Sequence, residues 1–140
     1  MVAALGYGGL LPFVALASAS VLDAEAMLRW QSALLSYGAV ILSFIGALHW
    51  GFAISVSGLS DRQRNACYCW SIIPALLAWS TFFLAPIVAS ALLAAGFLAH
   101  YLQDWRLVRQ TDLPLWYLPL RLRLTVVACL SLLTAGWAGA

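Results

Sequence analysis

Long apolar runs separated by short polar stretches make up almost the whole chain. About 20 apolar residues at 1.5 Å each cross a bilayer's hydrocarbon core, so each run is weighed as a membrane span. Residues 2–22 form the first, with Gly6, Gly8, Gly9 and Pro12 near its start. This run ends in a small-residue stretch that resembles a signal-peptidase site. It has no Lys or Arg before it and is longer than a signal core, so it is read as a retained helix. Residues 33–57 form the second run. Ala39, Ser43, Ala47 and Gly51 recur there at every fourth position and predict a flat strip on the central helix of a bundle.

The uncharged stretch 65–103 is too long for one crossing. The residue before a proline avoids helical geometry, so Ala85-Pro86 divides it into helices 66–84 and 86–103. Ala91, Ala95 and Ala99 give the latter its own small-residue strip, expected to pack on that of the second helix. Residues 104–123 alternate charged and apolar positions around Pro114 and Pro119. They predict a basic interfacial segment, followed by a fifth helix at 124–138. The expected fold is therefore a single all-α domain, an integral membrane bundle of five transmembrane helices.

Composition agrees with that pattern. Of 140 residues 64% are hydrophobic and 9% charged, whereas a soluble domain carries about a quarter charged residues. Mean hydropathy is +0.95. All seven basic residues are Arg. Six of them (Arg62, Arg64, Arg106, Arg109, Arg121, Arg123) fall on one side of the expected bundle and only Arg29 on the other. The positive-inside tendency then places the N-terminus and the basic side in the cytoplasm, or in the matrix of an organelle; the expected location is a bacterial inner membrane. No basic stripe or nucleic-acid motif occurs. Cys67, Cys69 and Cys129 form neither a disulfide framework nor a CxxC pair.

The candidate chemistry gathers in the cytoplasmic half. His49 sits about 12 Å below that interface, counted from Ser57. A buried imidazole needs partners for one donor and one acceptor. It can handle a proton, ligate haem, bond a quinone or lipid carbonyl, or simply bond Tyr7, Ser71 or a neighbouring carbonyl. Tyr7, Trp50, Ser71, Trp79, His100 and Asp104 complete the expected ligand-binding set. Bis-histidine haem ligation by His49 and His100 is disfavoured, because their depths differ by about 7 Å. Asp104 is expected to pair with Arg106 at the interface, or else to face the bundle and pair with Arg121 or Arg123. Five tryptophans, Trp30, Trp70, Trp105, Trp116 and Trp137, suit interface belts, whereas Trp50 and Trp79 lie deep enough for a pocket. No catalytic set, metal-binding motif, P-loop or GxGxxG is present, so no catalytic or metal residues are assigned and no cofactor is identified.

The segment YGAVILSFIGALHWG (residues 37–51) resembles the signature of a bacterial and mitochondrial membrane family, domain of unknown function 3429. The resemblance extends through LGYGGLLPF (5–13), WSIIPALLAW (70–79) and PLRLRLTVVACLSLL (119–133). It implies a small polytopic inner-membrane protein and carries over no catalytic residues. Tryptophan content and five crossings also resemble the tryptophan-rich translocator family, which binds porphyrins and sterols, although none of its motifs occurs here. The leading expectation is a non-enzymatic protein that binds an apolar ligand of the lipid, quinone or porphyrin class around His49. The alternatives are an accessory or assembly subunit of a larger membrane complex, and a proton-coupled carrier or membrane enzyme using His49 and Asp104. Expected partners are membrane lipids, the apolar ligand, and a second copy or larger complex, with no nucleic acid.

Overall fold

A chain dissolved in hydrocarbon must satisfy its own backbone polar groups, and here it does so with helices throughout. The computed structural model describes residues 1–138. Its elements are α1 (Val2–Gly8), α2 (Leu11–Leu22), α3 (Met27–Ser55), α4 (Asp61–Ser80) with a 3-10 turn (Thr81–Phe83), α5 (Pro86–Val108) and α6 (Tyr117–Ala138). With α1 and α2 forming one span, five segments are long and apolar enough to cross a membrane. Among the described residues there is no strand. The expected five-span all-α bundle is the observed one.

Helix α3 is central and packs against α2, α4, α5 and α6. Its Leu34 and Leu42 are fully buried, as are Phe13, Leu93 and Leu132 of the helices packed around it. The Phe13 ring meets Tyr37 and Phe97 edge-on, at 5.1 and 5.9 Å. Phe44, Ile54, Leu76, Phe82, Leu102 and Leu130 face outward. On a soluble protein such a surface would drive association, but here acyl chains are its solvent.

Local chemistry sets the joints. Pro12 has no N–H to continue the α1 ladder, and the span breaks between Gly8 and Leu11. The Tyr37 hydroxyl on α3 donates to the Gly9 carbonyl at this break, at 2.9 Å. Helix α4 opens with a capping box in which the Ser60 and Gln63 side chains reciprocally bond each other's backbone N–H. Pro74 inside α4 lies over Gly46 of α3, where a β-carbon would come within 2.9 Å of the proline ring. At the end remote from the arginine cluster, Gln31 Nε2 donates to the Ala135 carbonyl at 2.8 Å, tying α3 to α6. In the α2–α3 connection Asp23 accepts from the Trp30 indole and the Ala26 amide. These bonds hold its carboxyl below the usual carboxylate range. Their support for the connection is present above the ordinary aspartate pKa and is lost as pH falls through the depressed value.

Several boundaries differ from expectation. Helix α3 starts at Met27 rather than 33, and α5 continues to Val108. Helix α6 starts at Tyr117, so only 109–116 remain as connection and the interfacial segment at 104–123 is mostly helix. Pro119 does not interrupt α6. It stands in the first turn, where the missing N–H would have had no partner anyway. The two small-residue strips do not pack together. Ala39 is buried, but Ala47, Gly51, Ala91 and Ala95 are exposed. At 3.6 residues per turn, each step of four residues rotates by about 40°, so a strip from Ala39 to Gly51 winds about 120° around the helix. The close approaches are made instead by Gly46 on Pro74 and by Gly96 on Leu42.

Replacing Gly46 with Val should therefore overpack the α3–α4 contact and cost about 1–3 kcal/mol. Gly51→Val, with open space around it, should be near neutral. Thermal unfolding of the detergent-solubilised variants separates the two.

Candidate functional site

The polar residues that meet inside the bundle come from three helices at its arginine-rich end. On α5, His100 and Asp104 are four residues apart and share one face. On α6, Tyr117, Arg121 and Thr125 share a face by the same spacing. His49 comes from the last third of α3. Because α5 runs on to Val108, His100 lies about 12 Å from its helix end rather than near it. His49 and His100 consequently share a depth, with ring centroids 4.8 Å apart at 79°.

Asp104, completely buried, is the hub. Arg121 Nε donates to its Oδ2 at 2.8 Å, and the Tyr117 hydroxyl donates to its Oδ1 at 3.0 Å. His100 Nε2 stands 3.6 Å and His49 Nε2 3.9 Å from that same Oδ1. The Trp70 indole N–H donates to His100 Nδ1 at 3.1 Å. An indole nitrogen can only donate, so His100 Nδ1 is the acceptor and its proton sits on Nε2, facing Asp104. His49 is 2% exposed, yet neither of its ring nitrogens has a partner among the described residues.

Two histidines and one carboxylate with donor atoms within 4.8 Å of one another form a possible metal triad. That composition suits zinc or iron. The surroundings do not. A metal on His100 Nε2 would force the proton onto Nδ1, against the indole N–H, and Asp104 is already engaged by Arg121 and Tyr117. Haem fits no better, since the two imidazoles touch edge-on and leave no slot for a porphyrin plane between them.

Two cavities flank the hub. One, of about 280 Å³, has His49, Cys67 and Leu107 inside and Arg62, Gln63, Gln103, Arg106 and Gln110 around it. The other, of about 390 Å³, is an apolar cleft between the α1–α2 break, α3 and α6, which Arg121 and Thr125 reach. Arg121 lines the second, and His49, 3.9 Å from Asp104, lines the first.

Of the residues expected at one site, His49, His100 and Asp104 come together and the other four do not. Trp50 is half exposed and packs on Tyr68, while Trp79 is exposed beside Phe83. Ser71 is buried but donates to the Tyr68 carbonyl of its own helix. Tyr7 is exposed and accepts from Arg123 Nη1. Trp70, expected at the interface belt, reaches inward to His100. Asp104 pairs with Arg121 rather than with Arg106, whose Nη1 donates to Gln103. The pairing with Arg121 is the second of the two expected for Asp104; Tyr117 is the residue that a helix start at 124 leaves out, together with the inward face that it shares with Arg121. Their four-residue spacing, matching that of His100 and Asp104, was the available signal.

The family model described as Protein of unknown function (DUF3429) matches residues 1–136. Transmembrane protein 69 of Xenopus tropicalis is 35% identical over 133 residues, which cover 91% of this chain and 50% of that protein. The chain thus spans about half the length of that curated relative. No solved structure matches.

Replacing Asp104 with Asn leaves Arg121 as a buried cation without a counter-charge, at an expected cost of about 3–5 kcal/mol. The double variant Asp104→Leu, Arg121→Met removes both charges and should recover much of that loss. Unfolding midpoints of the three proteins in one detergent check this.

Proposed function

The chain belongs to the DUF3429 family of multi-pass membrane proteins, and from that premise we propose that it binds a small polar or anionic ligand entering from its arginine-rich side. One observation carries the reading. His49 is almost wholly buried in the wall of a cavity, and both its nitrogens are unpartnered. An imidazole left like this forfeits hydrogen bonds that a ligand or water can restore. Arg62 and Arg106 flank the cavity, and neither forms a salt bridge among the described residues. The volume is at the small end for ligand sites and well below what a porphyrin needs. The polar lining favours a solute, or the head of an amphiphile, over the fully apolar ligand anticipated from sequence. By the positive-inside tendency, the arginine-rich side faces the cytoplasm of a bacterial inner membrane.

A proton-coupled carrier is a second reading with its own support. The cavity reaches His49 but not Asp104, and His49 Nε2 lies 3.9 Å from that carboxylate. A proton passing from the cavity to Asp104 would cross this imidazole. The accessory-subunit reading has only the exposed small residues of α3 and α5 behind it.

Inorganic phosphate and short-chain carboxylates are suitable probes. Saturating probe at 100 times its Kd should stabilise the protein by about 2.7 kcal/mol, read as a raised unfolding temperature. His49→Phe should fold and lose that rise. A panel that leaves the wild type unmoved, or a variant that responds equally, would argue against the site.

A further inference from the structure

The apolar cleft on the far side of the hub carries a different ligand chemistry. Its walls include Phe13, Leu48, Leu120 and Leu124, and its floor is reached by Arg121 and Thr125. Arg121 is 8% and Thr125 2% exposed. The Nη2 of Arg121 and the Oγ1 of Thr125 are buried and have no hydrogen-bond partner among the described residues. Two unpartnered donors at the bottom of a hydrocarbon-lined cleft are costly unless something accepts from them. The cleft is also lined by Leu5 and Phe44, which are exposed on the outside of the bundle, so it opens sideways toward acyl chains.

Charge decides the head group. Arg121 already has its counter-ion in Asp104, at 2.8 Å. An anionic head would leave the buried site with a net negative charge, whereas a neutral acceptor would not. Volume decides the tail. About 390 Å³ holds roughly a dozen water-sized groups at about 30 Å³ each, which is one head with part of one chain and not a two-chain lipid. We propose that this cleft is a binding site for a single-chain amphiphile with an uncharged carbonyl head, the quinone class, whose carbonyl oxygen accepts from Arg121 Nη2 and the Thr125 hydroxyl. It is separate from the His49 cavity, and each site stands or falls alone.

The test uses the full chain in nanodiscs of ether-linked phospholipid, which has no carbonyl of its own. The probe is a benzoquinone with a ten-carbon tail, counted by native mass spectrometry. Saturable binding of one probe per chain is expected. Thr125→Val, which keeps the side chain's shape and removes its donor, should weaken binding about tenfold. Leu124→Trp, which fills the cleft, should abolish it. Both variants leave the Asp104–Arg121 pair in place, so an unfolding temperature close to wild type accompanies either loss. Uptake that rises without saturation, a Thr125→Val protein that binds as tightly as wild type, or displacement of the probe by ester-linked phospholipid at equal mole fraction would each overturn the assignment.

Discussion

A carboxylate and a guanidinium, 2.8 Å apart and both shielded from water, hold the arginine-rich end of this bundle together. Neither charge tolerates such a place alone, and their attraction repays desolvation only when the remaining donors and acceptors are also met. Asp104 meets that condition with Tyr117 on one oxygen and Arg121 on the other. The pair thereby fixes α5 against α6 at one depth. Arg64, donating to the Ala53 carbonyl, ties the start of α4 to the last turn of α3. These contacts tie α5 to α6 and α4 to α3 at the end where the cluster forms.

The consequences spread through hydrogen-bond direction. Because Trp70 can only donate, His100 must accept at Nδ1 and present its proton to Asp104. The carboxylate is then approached from α5 and α6, and of the two imidazoles only His49 has both ring nitrogens without a hydrogen-bond partner among the described residues. That division makes one imidazole structural and the other available. It also argues against a metal, although the donor types taken alone would suit one. The two cavities differ in kind, one rimmed by arginine and glutamine, the other walled by leucine and phenylalanine.

Much of the architecture was legible because hydropathy is a one-dimensional property that the bilayer reads directly. Five spans, the central place of the helix bearing His49, and the division at Ala85-Pro86 all follow from it. Proline position was harder to interpret. Pro119 breaks a helix in its interior but starts one in its first turn, and only tertiary context tells these apart. That ambiguity conceals Tyr117 and leaves Arg121 only as one alternative partner for Asp104. A four-residue repeat winds around the helix axis, so spacing alone does not tell which small residues are buried: on α5 Ala94 and Gly96 are, and Ala91 and Ala95 are not. Which aromatic residues turn inward was not legible either. Trp70 lies in the middle of α4 and Trp50 near the end of α3, and the packing of α4 against α5 is what turns Trp70 inward to His100.

Nitrogen chemical shifts of the imidazoles, recorded by solid-state NMR on the protein in lipid bilayers, probe the buried cluster most directly. The account predicts that His100 carries its proton on Nε2 with Nδ1 accepting, and that Arg121 Nε is in contact with the Asp104 carboxyl carbon. A His100 protonated at Nδ1, or an Arg121 side chain in free exchange with bulk water, would contradict it.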